Sequence, residues 1–341
     1  MNYAIEEYVF NDYNASSKAR KDISYFVHQF GFKTLIKNDK SQKRYGKLAK
    51  SLKAFQVFAK VFSLSKNDVL FIQTSHLLLN PILCIKKIRK FKVIYLIHDV
   101  FSLRYNTEQS IREHRNEIER DINLLNGCDC VIAHNQIMIN RLKDFGCNTL
   151  LISLDIFDYA CTYPVKKRLW NKAENIEIAF AGNLAKSNFL KELDKKNPQF
   201  KVNVYGTPQT IFQHINYKGC VDADLLPNVI EGHFGLIWEG GYNVKIEDNY
   251  NLINNPHKLS MYIVSGLPII VLKDSAAGKF VEKEKIGFTI NSLDEISHII
   301  NELSENEYNA MVNKCINIRN KIITGFFLHS ALEKFLATTG K

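Results

Sequence analysis

The chain of 341 residues has no long apolar run, and this absence argues against a membrane-spanning helix. A helix needs roughly 20 consecutive apolar residues to cross a bilayer, and no stretch reaches that length. The N-terminus also lacks the apolar core of a signal peptide, so we predict a cytoplasmic protein. The apolar fraction of 46% is that of a soluble globular protein, and the length predicts two domains of ordinary size.

Cysteine is sparse and does not follow the pattern of a disulfide framework or a zinc site. The seven cysteines are an odd number, and only Cys128 and Cys130 lie close together in the sequence. The spacing Cys-Asp-Cys fits neither a zinc knuckle nor a redox pair. We therefore expect reduced and mostly buried thiols.

Several short catalytic motifs are also missing from the chain. It has neither the G-x-G-x-x-G dinucleotide fingerprint nor a P-loop, and no G-x-S-x-G elbow of a hydrolase. No D-x-D pattern marks a divalent-metal site. We therefore expect no metal and no cofactor.

The net charge of +10 is unevenly distributed along the chain. Residues 1–160 hold 24 Lys and Arg against 16 Asp and Glu, a net charge of +8. The excess is densest between Lys33 and Lys66, where ten basic residues accompany one acid, Asp39. A basic first half predicts an anionic partner, which can be nucleic acid, an anionic membrane or a phosphorylated acceptor.

Residues 42–63 predict a basic amphipathic helix. Its predicted apolar face comprises Leu48, Leu52, Phe55, Phe58, Ala59 and Phe62. Such a helix can pack on the core with a solvated basic face, lie on anionic lipid, or bind nucleic acid as an arm. The lysine density favours the lipid surface, and we expect no nucleic-acid partner.

Predicted strands and helices alternate along the chain, which indicates an α/β fold with two parallel sheets. We predict one Rossmann-like domain over residues 1–160 and a second over 165–325, with a polar linker at 158–175. Parallel sheets bind ligands at the carboxyl ends of their strands. Six polar clusters directly follow predicted strands: Asn11-Asp12, His98-Asp99, His134-Asn135, Gly182 to Lys186, Gly206 and Glu239-Gly240.

Residues 254–272 predict a helix followed by a buried strand. Asn255 can act as the N-cap, Pro256 suits the first helical position and Gly266 ends the helix. His257 and Lys258 then lie at the helix N-terminus, where the dipole favours an anion rather than a cation. A bound phosphate accounts for the lysine, and the alternative is a solvated lysine in a poorly optimised first turn.

The turn at Gly182-Asn183, with Lys186 behind it, offers a backbone that can approach a phosphate closely. Together with Lys258 it supplies two cations, which is enough for a pyrophosphate without a metal. The alternative is an ordinary turn with a surface lysine.

Asp99, beside His98, is the first candidate for a general base that takes a proton from a sugar hydroxyl. Asp12 is the second candidate. The alternative for Asp99 is that its carboxylate caps the following loop.

Strings of residues in order from about residue 8 to the C-terminus resemble the bacterial β-1,6-galactofuranosyltransferases of O-antigen assembly, which have the GT-B fold. The chain is similar, more distantly, to the streptococcal glucosyltransferases that extend GlcNAc on serine-rich adhesins. The strings are Lys18-Ala19-Arg20-Lys21-Asp22, Leu96-Ile97-His98-Asp99, His134-Asn135, Ile156-Phe157-Asp158-Tyr159, Ala181-Gly182-Asn183-Leu184, Phe234-Gly235-Leu236-Ile237-Trp238 and Asn254-Asn255-Pro256-His257-Lys258.

The resemblance implies two Rossmann-like domains that face each other across a cleft, with the C-terminal helix, residues 326–341, returning to the first domain. It implies a UDP-sugar bound by the second domain, with Lys186 and Lys258 on the diphosphate. The other expected donor-binding residues are Gly182, Asn183, Gly206, Glu239, Asn255 and His257. The expected acceptor-binding residues are Asp12, Ser17, Lys18 and Arg20, near the catalytic pair His98 and Asp99.

The resemblance also implies the reaction, which is transfer of galactofuranose from UDP-galactofuranose to a sugar hydroxyl of a lipid-linked polysaccharide intermediate. Glu247 lies eight residues after Glu239, but its context differs from the glutamate pair of many retaining GT-B enzymes, which favours inversion. A UDP-glucose-type hexosyltransferase acting on a glycoprotein or glycan, a UDP-sugar epimerase and a non-catalytic UDP-sugar-binding subunit stay open. Peripheral contact with the inner face of the membrane and a homodimer are further expectations.

Overall fold

The computed structural model describes residues 1–6, 15–36, 47–73, 76–243 and 250–339. They form two compact units, one comprising residues 1–6, 16–155 and 327–339, and the other comprising Ala15 and residues 156–326. The sequence predictions for Asn11, Asp12, Glu247 and residues 42–46 fall outside the described residues.

The first unit contains a parallel sheet of six strands in the order β2-β1-β3-β4-β5-β6. Its strands are β1 (Asn2–Ile5), β2 (Lys33–Ile36), β3 (Val69–Ile72), β4 (Lys92–Leu96), β5 (Cys130–Ala133) and β6 (Leu150–Ser153). Its helices are α1 (Ala15–Gln29), α2 (Lys47–Phe62), α3 (His76–Arg89), α4 (Glu108–Glu113), α5 (Arg115–Asn126), α6 (Gln136–Asp144) and the C-terminal α13 (Phe326–Thr338).

The second unit contains another parallel sheet of six strands, in the order β12-β11-β10-β7-β8-β9. Its strands are β7 (Glu177–Asn183), β8 (Lys201–Thr207), β9 (Asn216–Tyr217), β10 (Phe234–Ile237), β11 (Ile269–Leu272) and β12 (Gly287–Ile290). Its helices are α7 (Phe189–Lys195), α8 (Leu226–Val229), α9 (His257–Val264), α10 (Ala276–Glu284), α11 (Glu295–Glu302) and α12 (Glu305–Ile322).

The central strands are continuous apolar runs because they are covered on both faces. Every residue of β3, β5, β10 and β11 is buried, as expected for parallel sheets flanked by helices. In the second sheet the chain runs from β7 outward to β9, and then returns to place β10 on the other side of β7. β7 and β10 therefore flank the point where the strand order reverses, which is where open α/β sheets bind ligands.

Helix α9 is fixed against these two strands by one tyrosine. Gly235 of β10 has no side chain, and a Cβ there would lie 2.3 Å from the Tyr262 ring. The buried Tyr262 hydroxyl accepts a hydrogen bond from Ala181 N at 2.9 Å and donates to Leu236 O at 3.2 Å. The tyrosine thus ties α9 to β7 and to β10.

Two predictions about helix boundaries and one about the linker were wrong. Pro256, with extended backbone angles, is the N-cap of α9, whereas Asn255 lies before it and is buried. The charged stretch 108–126, which the sequence alone predicts as one helix, forms two helices, α4 and α5, which meet at His114.

The segment 158–175 is not a simple linker. Tyr159 and Trp170 are buried in the second unit. Arg168 donates hydrogen bonds to the carbonyl oxygens of Ser265, Gly232 and Ile230. The segment is therefore part of the second unit, although it has no regular secondary structure there.

The predicted apolar face of α2 was wrong for Phe55, Ala59 and Phe62, while Phe58 is half-buried and the side chains of Leu48 and Leu52 lie outside those that the structure describes. Val57 and Val61 are buried, whereas Phe55, Ala59 and Phe62 are exposed. Valines at i and i+4 form the buried face, and Phe55 and Phe62 lie on another face.

The C-terminal helix α13 packs within the first unit. His329 Nε2 lies 2.9 Å from Phe26 O, and its ring contacts Phe30 with a centroid distance of 5.3 Å. Leu332 and Phe335 of α13 are buried. In the part of the chain that the structure describes, no helix is both long enough and apolar enough to cross a bilayer.

Candidate functional site

Lys258 lies in the first turn of α9, next to the end of β7. Its Nζ is 4.7 Å from the centroid of the Phe180 ring, and its side chain is 17% exposed. A Cβ on Gly182 would lie 3.2 Å from Lys258 Nζ, so the ammonium group faces bare backbone. A lysine at a helix N-terminus beside a glycine is an arrangement suited to an anion.

Glu239 is the acidic side chain nearest to this ammonium group among the contacts of the described residues. It follows β10, is about half exposed, and its Oε1 lies 3.8 Å from Lys258 Nζ. Burial nevertheless lowers the pKa of Lys258 below its ordinary value, and the nearby Glu239 opposes that shift. Glu239 therefore does not fully offset the loss of hydration of the ammonium group, and an incoming anion would stabilise its charged form.

A pocket opens beside this cluster, between the N-termini of α9 and α10. Its lining comprises Ile237, Trp238, Glu239, Asn251, Pro256, Val271, Leu272, Ser275 and Ala277. Ser275 caps α10 by accepting a hydrogen bond from Gly278 N at 2.9 Å. Two helix N-termini and the carboxyl ends of β10 and β11 thus meet around one concave surface.

The segment before α7 holds the second predicted cation. Asn183 Oδ1 accepts from Ala185 N at 3.0 Å, which fixes the short 3-10 turn Leu184–Lys186. Lys186 is exposed on that turn. Gly206, at the end of β8, has φ +147°, and a Cβ there would lie 1.9 Å from Gly182 O. A glycine at 206 therefore allows the two strand ends to approach each other.

His257 and Asn255 belong to the packing around α9. The His257 ring stacks on Tyr159, with centroids 4.9 Å apart, and Tyr159 donates a hydrogen bond to Ala223 O. Ser260 of α9 donates to Phe157 O at 2.5 Å. Residues 157–159 thus support the first turn of the helix. The sequence did not predict this role, because it depends on contacts with residues about 100 positions away.

In the first unit, His98 and Asp99 directly follow β4, as predicted. His98 Nε2 lies 2.8 Å from Gln73 Oε1 at the end of β3. Buried Gln73 in turn donates to Arg20 O at 3.1 Å and to Ser24 Oγ at 2.9 Å on α1. Sequence reasoning missed Gln73, although its position directly after a buried strand was a usable signal.

The Asp99 carboxylate is 54% exposed and accepts a hydrogen bond from Arg104 Nη2 at 2.9 Å. The same guanidinium lies 5.5 Å from the centroid of Phe101, which is itself 58% exposed. An accessible carboxylate therefore lies beside an exposed aromatic ring. This pairing suits a sugar, which can place a hydroxyl on the carboxylate and an apolar face on the ring.

His134 and Lys18 are buried rather than presented to solvent. Burial lowers the pKa of His134 to about 4, and its Nε2 lies 3.1 Å from Ile97 O. Lys18 forms an ion pair with Asp22 at 2.5 Å. Ser17 and Arg20 are partly exposed on the same helix, α1.

The expectation that the chain has no D-x-D pattern was wrong, because it contains Asp222-Ala223-Asp224. Asp222 Oδ1 accepts a hydrogen bond from Asp224 N at 2.8 Å, so the first carboxylate fixes a turn. Within the described ranges, no group of three or more His, Cys, Asp and Glu side chains is placed to hold a metal ion.

Comparison with known proteins matches both halves of the chain. The family model described as "Glucosyltransferase 3-like, N-terminal domain" matches residues 2–156, and "Glucosyltransferase 3-like, C-terminal domain" matches residues 178–335.

Two curated relatives are similar over most of the chain. Glucosyltransferase 3 of Streptococcus parasanguinis is 26% identical over 251 residues, which is 73% of this chain and 71% of that protein. The β-1,6-galactofuranosyltransferase WbbI of Escherichia coli K12 is 28% identical over 262 residues, 73% of each chain. The resemblance drawn from the sequence motifs is therefore confirmed.

Solved structures share the fold at much lower identity. HepE of Anabaena, determined in complex with UDP and glucose, is 12% identical with a TM-score of 0.67, covering 99% of this chain and 100% of that chain. Sucrose-phosphate synthase of Thermosynechococcus elongatus is 10% identical with a TM-score of 0.67, covering 100% of both chains. These matches establish the predicted GT-B fold. With family matches over both halves, the chain belongs to the glucosyltransferase 3-like family of glycosyltransferases.

Proposed function

We propose that the protein transfers galactofuranose from UDP-galactofuranose to a sugar hydroxyl of a lipid-linked polysaccharide intermediate, with inversion. The observation that carries the donor half of this proposal is Lys258, a desolvated lysine at the N-terminus of α9, facing Gly182 where the strand order of the sheet reverses. The similarity to WbbI supports the choice of sugar and acceptor.

The diphosphate of the donor binds at the first turn of α9. First-turn N–H groups of a helix have no partner within the helix, and the dipole there favours negative charge. Lys258 adds a full positive charge from the side of Gly182, and Lys186 reaches the same anion from the exposed turn behind β7. UDP in the HepE structure supports a uridine diphosphate as the ligand.

The half-exposed Glu239 carboxylate lies 3.8 Å from Lys258 Nζ. A bound diphosphate competes with this carboxylate for the ammonium group, so Glu239 turns toward the sugar and accepts hydrogen bonds from its hydroxyls. Neutralising the leaving group in this way requires no metal, and the expected independence from metal stays a prediction.

The acceptor hydroxyl is activated by Asp99 in the first unit. Its oxygen forms a bond to the anomeric carbon while the bond from that carbon to the UDP oxygen breaks. The hydroxyl proton passes to Asp99, and UDP leaves with the bonding electron pair. Arg104 and the Gln73–His98 hydrogen bond hold the strand end that carries Asp99.

A glucose donor is the second candidate, because Glucosyltransferase 3 is similar to the chain to nearly the same degree as WbbI. The two candidates differ in the sugar ring that the donor pocket must hold. They share the α9 site for the diphosphate and the Asp99 base.

The test is UDP release from a panel of UDP-sugars, with UDP-galactofuranose generated in place, with and without an alkyl glucoside acceptor. The proposal predicts acceptor-dependent release from UDP-galactofuranose and a β-linked product by NMR. UDP release from UDP-glucose and from no other donor supports the second candidate, a glucosyltransferase. An α-linked product contradicts inversion, and UDP release without acceptor indicates a hydrolase. Conversion of the donor into another UDP-sugar without UDP release indicates an epimerase.

A further inference from the structure

Helix α2 carries a second apolar stripe that the core of the first unit does not cover. Phe55 is 71% exposed and Phe62 is 49% exposed, and Ala59 between them is also exposed. Residues at i, i+4 and i+7 lie on one side of a helix. The core-facing side is a different one, formed by Val57 and Val61, so α2 is apolar on two sides.

The last turn of α3 extends this stripe. The Arg89 guanidinium lies 5.3 Å from the centroid of the Phe62 ring, and its Nε donates to Leu64 O at 3.0 Å. The neighbouring Ile88 is 68% exposed. We define the α2–α3 surface by its apolar and basic members: Phe55, Ala59, Phe62 and Ile88, with Lys60, Lys66, Lys87, Arg89 and Lys90.

The charge of this part of the chain is almost entirely positive. Residues 40–98 contain thirteen Lys and Arg and a single acid, Asp68. That carboxylate is already engaged, since it accepts from the N-terminal ammonium at 2.7 Å and from Ser65 Oγ at 2.8 Å. Lys60 also donates to Leu35 O at 3.1 Å, and Lys86 forms an ion pair with Asp129 from outside this range. The remaining excess of positive charge favours an anionic partner.

The combination of lysines and exposed phenylalanines identifies the kind of partner. A second copy of the chain would bring two positively charged surfaces together, and protein interfaces are depleted in lysine. Nucleic acid would neutralise the lysines and could stack its bases on the phenylalanine rings, but the exposed aliphatic side chain of Ile88 gains nothing from stacking. The interface of an anionic bilayer accepts both, because phosphates bind the lysines while apolar side chains enter the region beneath the headgroups.

We propose that the α2–α3 surface docks on a bilayer that contains anionic phospholipid. Phe55, Phe62 and Ile88 insert at the level of the headgroups, and the surrounding lysines bind the lipid phosphates. The proposal does not depend on the donor sugar or on catalysis, so its test and that of the proposed function fail separately.

The test is sedimentation of the full chain with vesicles of phosphatidylcholine alone, or with about 30% phosphatidylglycerol, at about 0.15 M salt. Binding to the anionic vesicles alone is expected. Lys66→Glu/Lys87→Glu is expected to weaken it by about 25-fold or more, because each basic residue near such a surface contributes about fivefold. Phe55→Ser/Phe62→Ser, which keeps the charge, is expected to weaken binding by at least about tenfold.

Lys191→Glu/Lys195→Glu is the matched control, because it changes the charge equally on exposed lysines of α7 in the second unit. It should retain binding to within about twofold, and all variants should keep the circular dichroism spectrum of the wild type. The proposal is overturned if the folded wild type ignores the anionic vesicles, or if the phenylalanine variant binds as well as the wild type. It is equally overturned if the phenylalanines instead stabilise a dimer in light scattering, or if an oligonucleotide binds this surface and vesicles do not.

Discussion

At the scale of single residues, the charged form of Lys258 is destabilised by burial in the proposed donor site. The Phe180 ring and the end of β7 remove water from its ammonium group, and the only charge facing it in the described contacts is Glu239 at 3.8 Å. A lysine in this setting loses its proton more readily than usual, and a bound phosphate reverses the shift.

Lys258→Met keeps the aliphatic length of the side chain and removes the charge. We expect it to weaken UDP binding by roughly 10- to 100-fold, the range for a hydrogen bond to a charged group. In the wild type, UDP affinity should fall as the pH rises through the lowered pKa of Lys258, beginning below its ordinary value of 10.5. Isothermal titration across pH measures both effects. A variant with the same affinity and the same pH profile as the wild type would contradict the assignment.

His134 provides a second test at this scale, in the first unit. Its pKa of about 4 in the folded chain lies below the ordinary 6.5, so the unfolded chain binds more protons between these values and stability falls on acidification. The His134 contribution should fall by about 2 kcal/mol between pH 7.5 and 5. Urea unfolding at both pH values checks this. In His134→Gln, the free energy of unfolding should fall by about 2 kcal/mol less than in the wild type over this pH range. An equal fall in both proteins would show that His134 does not cause the acid sensitivity.

The sequence predicted candidate site residues such as Lys258 and Asp99, but not the residues that hold them in place. Lys258 was recognisable because a cation at a helix N-terminus is locally unfavourable. The position of Gln73 directly after a buried strand was a signal, but its contact with His98 was not predictable, because the two residues are distant in sequence. The role of Tyr159 gave no local signal, because it comes from stacking on the distant His257. Lys18 was expected to meet the acceptor, and its burial against Asp22 depends on packing that no local pattern shows.

At the scale of elements, α9 depends on the contact between Tyr262 and Gly235. Tyr262→Phe leaves Ala181 N without its acceptor and should lower stability by about 1–3 kcal/mol. It should also weaken UDP binding several-fold, because α9 carries Lys258. Denaturation and titration with UDP measure the two effects.

Tyr308→Phe is the matched control for this variant. Tyr308 is equally buried, and its hydroxyl donates to His233 O at the other end of β10. The Tyr308→Phe variant should be less stable than the wild type but should bind UDP with the same affinity. Equal affinity losses in both variants would show that Tyr262 acts only through general stability.

The position of a strand such as 269–272 was predictable because a parallel strand buried on both faces is a short apolar run. The face of α2 was not predictable. Its sequence offers valines and phenylalanines at helical spacing, and only the packing shows that Val57 and Val61 face the core.

At the scale of the whole molecule, the C-terminal helix α13 completes the core of the first unit. Phe335→Ala should cost about 3–5 kcal/mol of stability in that unit. Both tryptophans of the chain, Trp170 and Trp238, lie in the second unit, so their fluorescence reports on that unit alone. We therefore expect the Phe335 variant to have a clearly lower urea midpoint than the wild type by circular dichroism. Its midpoint by tryptophan fluorescence should fall less.

Phe189→Ala is the matched control, since Phe189 is buried in the core of the second unit. It should lower the fluorescence midpoint directly. A Phe335 variant that shifts only the tryptophan signal would contradict the placement of α13.

The central claim is that Lys258 at the N-terminus of α9 stabilises the leaving UDP in a sugar transfer. The most direct measurement is acceptor-dependent UDP release from UDP-galactofuranose, for the wild type and for Lys258→Met at saturating donor. Loss of one such charge stabiliser should lower kcat by roughly 10²- to 10³-fold while the fold is retained. Equal kcat values in the two proteins would remove Lys258 from the mechanism and contradict the account.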